Sequence, residues 1–232
     1  QAGVSLHLDT SIQTIEKLEN GYLLDTTLGQ VSCQSLVIAT GGLSIPTLGA
    51  TGFGYQVARQ FGHELLPTRA GLVPFTITDQ LKELCSELSG TSVDCLVSCN
   101  DQSFRENILF THRGLSGPSI LQISSYWREG EAVVASMAPG RDVFEELKAA
   151  KASNGKQAVH TALGHIVPRR LAESLCQREG ASGNLADLSD KVLRRLDQAV
   201  NAWTVKPVGS EGYRTAEVTL GGIDTAALDQ QT

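Results

Sequence analysis

The run Leu36-Val37-Ile38-Ala39, broken at once by Thr40-Gly41-Gly42, constrains the fold more than any other stretch of this 232-residue chain. A short apolar run without alternation suits a strand buried on both faces, as in a parallel α/β sheet. Glycine directly after such a strand lets a backbone approach a ligand where a β-carbon would clash. The carboxyl end of a parallel strand is also where nucleotides bind in open α/β sheets. Gly49-x-x-Gly52-x-Gly54 follows, and a helix is predicted over 53–61, with Tyr55, Ala58 and Phe61 on one face and Gly62 as its C-terminal cap. The free N–H groups of such a helix start favour an anion or a polarised ring oxygen. The order is strand, glycine loop, helix, but the loop is not the G-x-G-x-x-G fingerprint, because Val57 stands where the third glycine would be. By itself the loop reads equally as a ligand cradle or as a plain glycine-rich turn.

Upstream, Val4, Leu6 and Leu8 alternate with polar neighbours, which predicts a half-buried strand. Glu19-Asn20-Gly21 predicts a hairpin between strands at 11–18 and 22–27. Downstream, short strands are predicted at 73–77, 93–99, 103–110 and 132–136, with a short helix over 81–88. From Asp142 the apolar residues fall at helical spacing, among them Val143, Leu147, Val159, Leu163, Leu171, Leu175, Leu193 and Leu196, with Ser189 as a helix N-cap. Strand composition returns at 213–220 and stops at Gly221-Gly222. A chain that leaves one kind of domain and later returns reads as an insertion within a larger fold. It also begins at Gln1 and holds one methionine, Met137, so it reads as a piece of a longer protein.

Acidic residues exceed basic ones by 25 to 19, a formal charge of −6. That argues against broad phosphate-backbone binding and predicts no nucleic-acid partner. No stretch approaches the roughly 18 consecutive apolar residues of a membrane span, and no signal-peptide pattern opens the chain, so it is expected in the cytoplasm with no membrane partner. Of Cys33, Cys85, Cys95, Cys99 and Cys176, only Cys95 and Cys99 are close, and no ligand at zinc spacing follows them. Reduced thiols and no metal site are expected.

Phe110-Thr111-His112-Arg113-Gly114-Leu115-Ser116-Gly117-Pro118 is the second informative segment. A His and a Ser among glycines on a loop can form a site. The same residues also read as a capped turn before a helix over 119–127, with Ser116 as N-cap and Pro118 in the first turn, and the residues alone favour that reading. Gly114-x-Ser116-Gly117 lacks the G-x-S-x-G spacing, which argues against a serine hydrolase. His7, His63, His160 and His165 are isolated, and Lys191, Arg194 and Arg195 read as a solvated helix face.

Taken together, these motifs resemble a known family. Leu36 to Ser44 with Pro46, the glycines at 49, 52 and 54 with Tyr55, Phe61-Gly62-His63, Leu72-Val73-Pro74, the segment 110–118 with Leu121, and Val218-Thr219-x-Gly221-Gly222-Ile223 occur in the same order. They resemble the bacterial flavoproteins known as NAD(P)/FAD-dependent oxidoreductases of the YhiN/BaiN, aminoacetone-oxidase-like type, over essentially the whole chain. The resemblance implies an α/β chain, α+β overall, in which part of a glutathione-reductase-like FAD domain is interrupted by a β-barrel-like insert and a small helical insert. Residues 1–70 would belong to the FAD domain, 71–140 plus 205–220 to the barrel, 141–204 to the helical module, and 221–232 to the return into the FAD domain.

It further implies FAD as cofactor, flavin-mediated hydride transfer with NAD(P)H as reductant, and a small-molecule substrate. Thr40, Gly41, Gly42, Thr51, Gly52, Gly54, Gly221 and Gly222 would bind the cofactor. His112 and Ser116 would face the substrate, with His112 moving a proton. The family's opening strand, G-x-G-x-x-G and helix, which hold the FAD pyrophosphate, and its closing glycine-rich segment do not occur here. A fragment is therefore expected, one that by itself neither retains FAD nor turns over. The alternative is a non-catalytic insert whose helical part docks a partner.

Overall fold

The hairpin signal at Asn20-Gly21 opens the first sheet. In the computed structural model, which describes residues 3–229, β1 (Ile12–Leu18) and β2 (Gly21–Thr26) pair antiparallel with Leu18 opposite Gly21. A third strand, β3 (Gly29–Cys33), which the sequence reading missed, pairs antiparallel with β2. Ile15 and Leu24 stand opposite one another on the ladder, and helix α1 (Phe53–Gln60) lays Val57 on both to make a small core. The helix ends where Gly62 predicts: that residue takes φ 84, its N–H donates to the Arg59 carbonyl, and the His63 N–H reaches back to Ala58 at 2.9 Å. This is the Schellman arrangement, which satisfies carbonyls left open at a helix end.

Two expected strands are absent from any sheet. Val4, Leu6 and Leu8 are exposed, and the run Leu36–Ala39 is not a strand, with Val37 84% exposed. A strand is stabilised by its ladder, and no neighbour among the described residues pairs with either segment.

Strand β4 (Leu65–Gly71) pairs with a strand late in the chain, Val218–Ile223. After it come β5 (Phe75–Thr76), α2 (Asp79–Glu87), β6 (Ser92–Cys99), β7 (Gln102–Thr111), β8 (Gly114–Ser116), α3 (Pro118–Ser124) and β9 (Val133–Ser136). Four helices follow, α4 (Val143–Ser153), α5 (Val159–Leu163), α6 (Arg169–Arg178) and α7 (Asp190–Asn201), then β10 (Trp203–Val205), β11 (Gly209–Ser210) and β12 (Val218–Ile223). The order β10-β9-β6-β7-β8-β5-β11 makes a seven-stranded sheet, antiparallel at every pairing, and β12 is the partner of β4. Mixed α and β structure around a large antiparallel sheet is the α+β class.

Strand β6 shows how composition becomes core. Val93, Cys95, Val97 and Cys99 alternate inward and are all buried, so the Cys95-x3-Cys99 pair marks two positions on one strand face. Burial pushes the Cys85 and Cys95 thiols up to about 12 and Cys176 to about 11. Thiols held protonated in this way are inert packing groups. The sheet core around Phe75, Ile108 and Phe110 runs without a break into the helical core around Leu147, Leu171 and Leu193.

By contact density the chain forms two units. One holds the described residues up to Gly42, then Ala50–Pro67, then the residues from Gly222 onward; the other holds Leu43–Gly49 and Thr68–Gly221.

Candidate functional site

In the first unit, Thr40 and the glycines of the loop meet the start of α1. A β-carbon at Gly54 would stand 2.6 Å from Thr40 Oγ1 and 3.5 Å from Ile38 Cγ2, so only glycine lets the helix close on the Ile38–Thr40 segment. Thr51 Oγ1 accepts the Phe53 N–H at 3.3 Å and stands in for a side-chain cap at Gly52, the N-cap residue. Gly41 takes φ 70 with open space where its side chain would be. Gly222 lies on β12, where a β-carbon would meet the Tyr55 ring at 3.4 Å.

These residues border a cavity of about 410 Å³, within the size range of small-molecule sites. Tyr22, Leu36, Ile38, Val57, Ala58 and Phe61 give it apolar walls, and Tyr22 meets Phe61 edge-on with ring centroids 6.0 Å apart. Thr40, Lys17, Tyr55 and His63 supply its polar groups. The Thr40 hydroxyl has no hydrogen-bond partner among the described residues and is open to a ligand. An apolar slot with a free hydroxyl and a bare glycine backbone on one wall fits the ring-bearing part of a dinucleotide. At this volume it does not take a whole one.

Of the predicted cofactor residues, Thr40, Gly41 and Gly54 line this cavity, and Gly222 stands behind Tyr55. Thr51 and Gly52 shape the start of α1 without lining it, and neither does Gly42. Gly221 falls in the second unit. The diglycine also does not follow a strand, as the sequence suggested, but lies inside β12; residues 212–214 form a 3-10 turn in place of the start of the expected strand. Lys17, Tyr22 and Phe61 were missed as lining residues. Register pairs Lys17 with Tyr22 across the β1–β2 hairpin, so the Asn-Gly turn signal could have placed them side by side.

His112 and Ser116 belong to the second unit. His112 sits in the turn between β7 and β8, exposed, with its imidazole unpartnered among the described residues. Thr111 Oγ1 holds that turn by accepting the Arg113 and Gly114 N–H groups. Ser116 lies on β8 opposite Leu109, and no hydrogen bond joins it to His112 among the described residues. Ser116 is not the N-cap of the following helix. That position falls to Gly117, at φ 92, whose β-carbon would stand 2.6 Å from the Asn107 carbonyl and 2.8 Å from the Leu109 nitrogen. The backbone there is pressed against β7, which admits no side chain, and the helix starts one residue later than Ser116 would set it.

With this geometry in hand, the relatives of the chain fall into place. The family described as HI0933-like protein barrel and H2TH domain matches residues 69–218, well over half the chain, and the chain belongs to it. At the level of a flavoprotein family, this agrees with the resemblance drawn from the motifs. Over its whole length the chain is 45% identical to a ribosomal RNA dihydrouridine synthase of Escherichia coli (strain K12), of which it covers 58%. It is 40% identical, over 99% of its length, to a protein of the same name from Haemophilus influenzae, covering 59% of it. A 3-dehydro-bile acid delta(4,6)-reductase of Clostridium scindens is 22% identical over 99% of the chain, with 59% of that protein covered. The chain thus spans a little under three fifths of these relatives.

The relatives named for ribosomal RNA overturn the expectation of no nucleic-acid partner. That expectation rested on net charge, and net charge averages over an uneven distribution. Ten of the 19 Lys and Arg residues lie in 141–204, against eight of the 25 acidic ones, so the helical segment is basic within an acidic chain. Net charge constrains solubility and non-specific association more than it does a local binding face. No helix among the described residues is long and apolar enough to cross a membrane.

Proposed function

We propose that this chain is part of an FAD-dependent oxidoreductase that reduces uridine in ribosomal RNA. The observation that carries the reading is the 45% identity, across the entire chain, to the Escherichia coli ribosomal RNA dihydrouridine synthase. The Clostridium scindens relative, though distant, is named as a reductase, which supports the reaction class. A partner-docking module without catalysis is the less favoured reading.

In this reading the first unit is part of a glutathione-reductase-like FAD domain, interrupted by the barrel at 71–140 plus 205–220 and the helical module at 141–204. Thr40, Gly41 and Gly54 would hold a ring-bearing part of FAD, with Thr40 Oγ1 as donor or acceptor and the glycines keeping the wall free of side chains. Gly42, Thr51, Gly52 and Gly222 would support that grip through the backbone, and Gly221 stays a candidate cofactor residue by the motif alone. When bound, the flavin supplies the hydride chemistry, with NAD(P)H as reductant. Conversion of uridine to dihydrouridine also needs a proton at the second carbon of the double bond. His112, exposed and unpartnered among the described residues, is the candidate to deliver it, since a ring N–H can act as a general acid. Ser116 would lie on the substrate side as a positioning hydroxyl. The basic helical segment would meet the RNA backbone, so binding is expected to weaken as salt rises.

The test is complementation. The complete gene that encodes this chain is expressed in an Escherichia coli strain deleted for its own ribosomal RNA dihydrouridine synthase. Dihydrouridine in digested ribosomal RNA is then measured by mass spectrometry. Restoration is expected; purified protein that holds FAD yet leaves ribosomal RNA unmodified would overturn the substrate.

A further inference from the structure

We propose that Thr219 is a positioning residue for the cofactor loop: its hydroxyl clamps the two backbone amides that directly follow Thr40-Gly41-Gly42. The inference rests on the reading that Thr40, Gly41 and Gly54 hold FAD. The N–H groups of Leu43 and Ser44 both donate to Thr219 Oγ1, at 2.8 and 3.1 Å, and Ser44 Oγ lies 3.0 Å from the same atom. All three contacts are partly buried and join residues far apart in the chain. A threonine hydroxyl has two lone pairs and one hydrogen. The amides take both lone pairs, which leaves the hydrogen for Ser44 Oγ. The hydroxyl is therefore saturated by the protein, as a clamp is, with nothing left over for a ligand.

The segment it holds is one that needs holding. Ile45 takes φ 54 and ψ 63, a left-handed conformation that a β-branched residue adopts only under constraint. Its N–H donates to the Tyr213 carbonyl at 2.8 Å, and the 3-10 turn at Pro46–Leu48 closes with the Gly49 N–H on the Pro46 carbonyl. Three successive amides, at 43, 44 and 45, are thus committed to the stretch 213–219 and to no helix or strand of their own. Removing the Thr219 oxygen leaves two partly buried donors without an acceptor. Gly42 is bonded directly to Leu43, so the freedom released would pass into the diglycine.

The experiment compares Thr219→Val, which keeps shape and removes the hydroxyl, with Thr219→Ser, which restores it. Ser44→Ala, which removes only the side-chain link, is the third arm, and Thr219→Ala serves as the hydroxyl-free variant if T219V does not fold. In the chain itself, hydrogen exchange at the Leu43 and Ser44 amides is expected to speed up about tenfold in T219V, the loss expected for a typical hydrogen bond. Both amides should stay protected in T219S and S44A. In the protein from the complete gene, the Kd for FAD is expected to rise about tenfold in T219V and to stay within about twofold in T219S. Wild-type protein that binds no FAD would overturn the cofactor reading and this inference with it. Wild-type protein that binds FAD, with T219V equal to it or T219S as weak as T219V, would overturn this inference alone.

Discussion

His112 and Gly117 share one motif and serve different ends. The imidazole of His112 is exposed at a hairpin turn and supports nothing around it. We therefore expect His112→Ala to leave the stability nearly unchanged, within about 0.5 kcal/mol, and to leave FAD bound. If the proposed function holds, formation of dihydrouridine should fall by about 10²–10⁴, the usual worth of one general acid. Rates on ribosomal RNA and thermal melts of the same variant check this; a full rate would remove His112 from the reaction. Gly117 is the converse case, since its positive φ and its contact with the Asn107 carbonyl leave no room for a methyl group. Gly117→Ala should cost about 2–3 kcal/mol in urea unfolding, through backbone strain and a displaced β7.

Among the elements, the link between α3 and β9 carries a carboxylate whose charge is part of the structure. Glu131 accepts the Arg128 N–H at 2.7 Å and the Asn100 side-chain amide at 3.1 Å, while its own carbonyl accepts the Trp127 indole N–H. The Arg128 N–H first, and then the Asn100 amide, hold its carboxyl below the usual carboxylate range, against an opposing effect of burial. A carboxyl whose folded pKa is depressed stabilises the fold above its unfolded pKa, and that contribution is lost as pH falls through the folded value. Thermal melts carried from neutral pH to below the usual carboxylate range should show this loss, and Glu131→Gln should flatten the acid limb. Helix α4 offers a simpler case: Asp142 accepts the Glu145 N–H at 3.0 Å as its N-cap, so Asp142→Ala should cost about 0.5–2 kcal/mol by denaturant unfolding. Elements of this kind were legible in the sequence because their signals are local. The alternation of β6, the helical spacing after Asp142 and the Gly62 cap each depend on near neighbours. The run Leu36–Ala39 misled because a strand is defined by what pairs with it, and the Ser116 cap failed because the Gly117 collision involves a different strand. Thr40, Gly41 and Gly54 were legible as a hydroxyl among glycines. Of the walls, Lys17 and Tyr22 were legible only as neighbours across the Asn-Gly hairpin, and nothing in the local spacing of Phe61 brings it to the same cavity.

At the scale of the molecule, the second unit has an uninterrupted core from the seven-stranded sheet to α7, and the family match at 69–218 lies within it. Residues 68–221 expressed alone should fold and unfold in one cooperative transition, as a domain with its own core does. Coincident transitions by circular dichroism and tryptophan fluorescence would show this, and separate transitions for sheet and helices would refute it. The division of the chain between its units also bears on how the protein is made. The first unit draws on residues up to Gly42, on 50–67 and on residues from Gly222 onward, with the whole block 68–221 between the last two pieces. During synthesis the early pieces leave the ribosome long before their last partner exists, while the intervening block can fold as soon as it emerges. Tyr55 and the cavity beside it wait through that interval without Gly222 and Ile223. Variants that slow the folding of the seven-stranded sheet would therefore be felt first as chaperone dependence and aggregation of the newborn chain, even where the finished protein is as stable as the wild type.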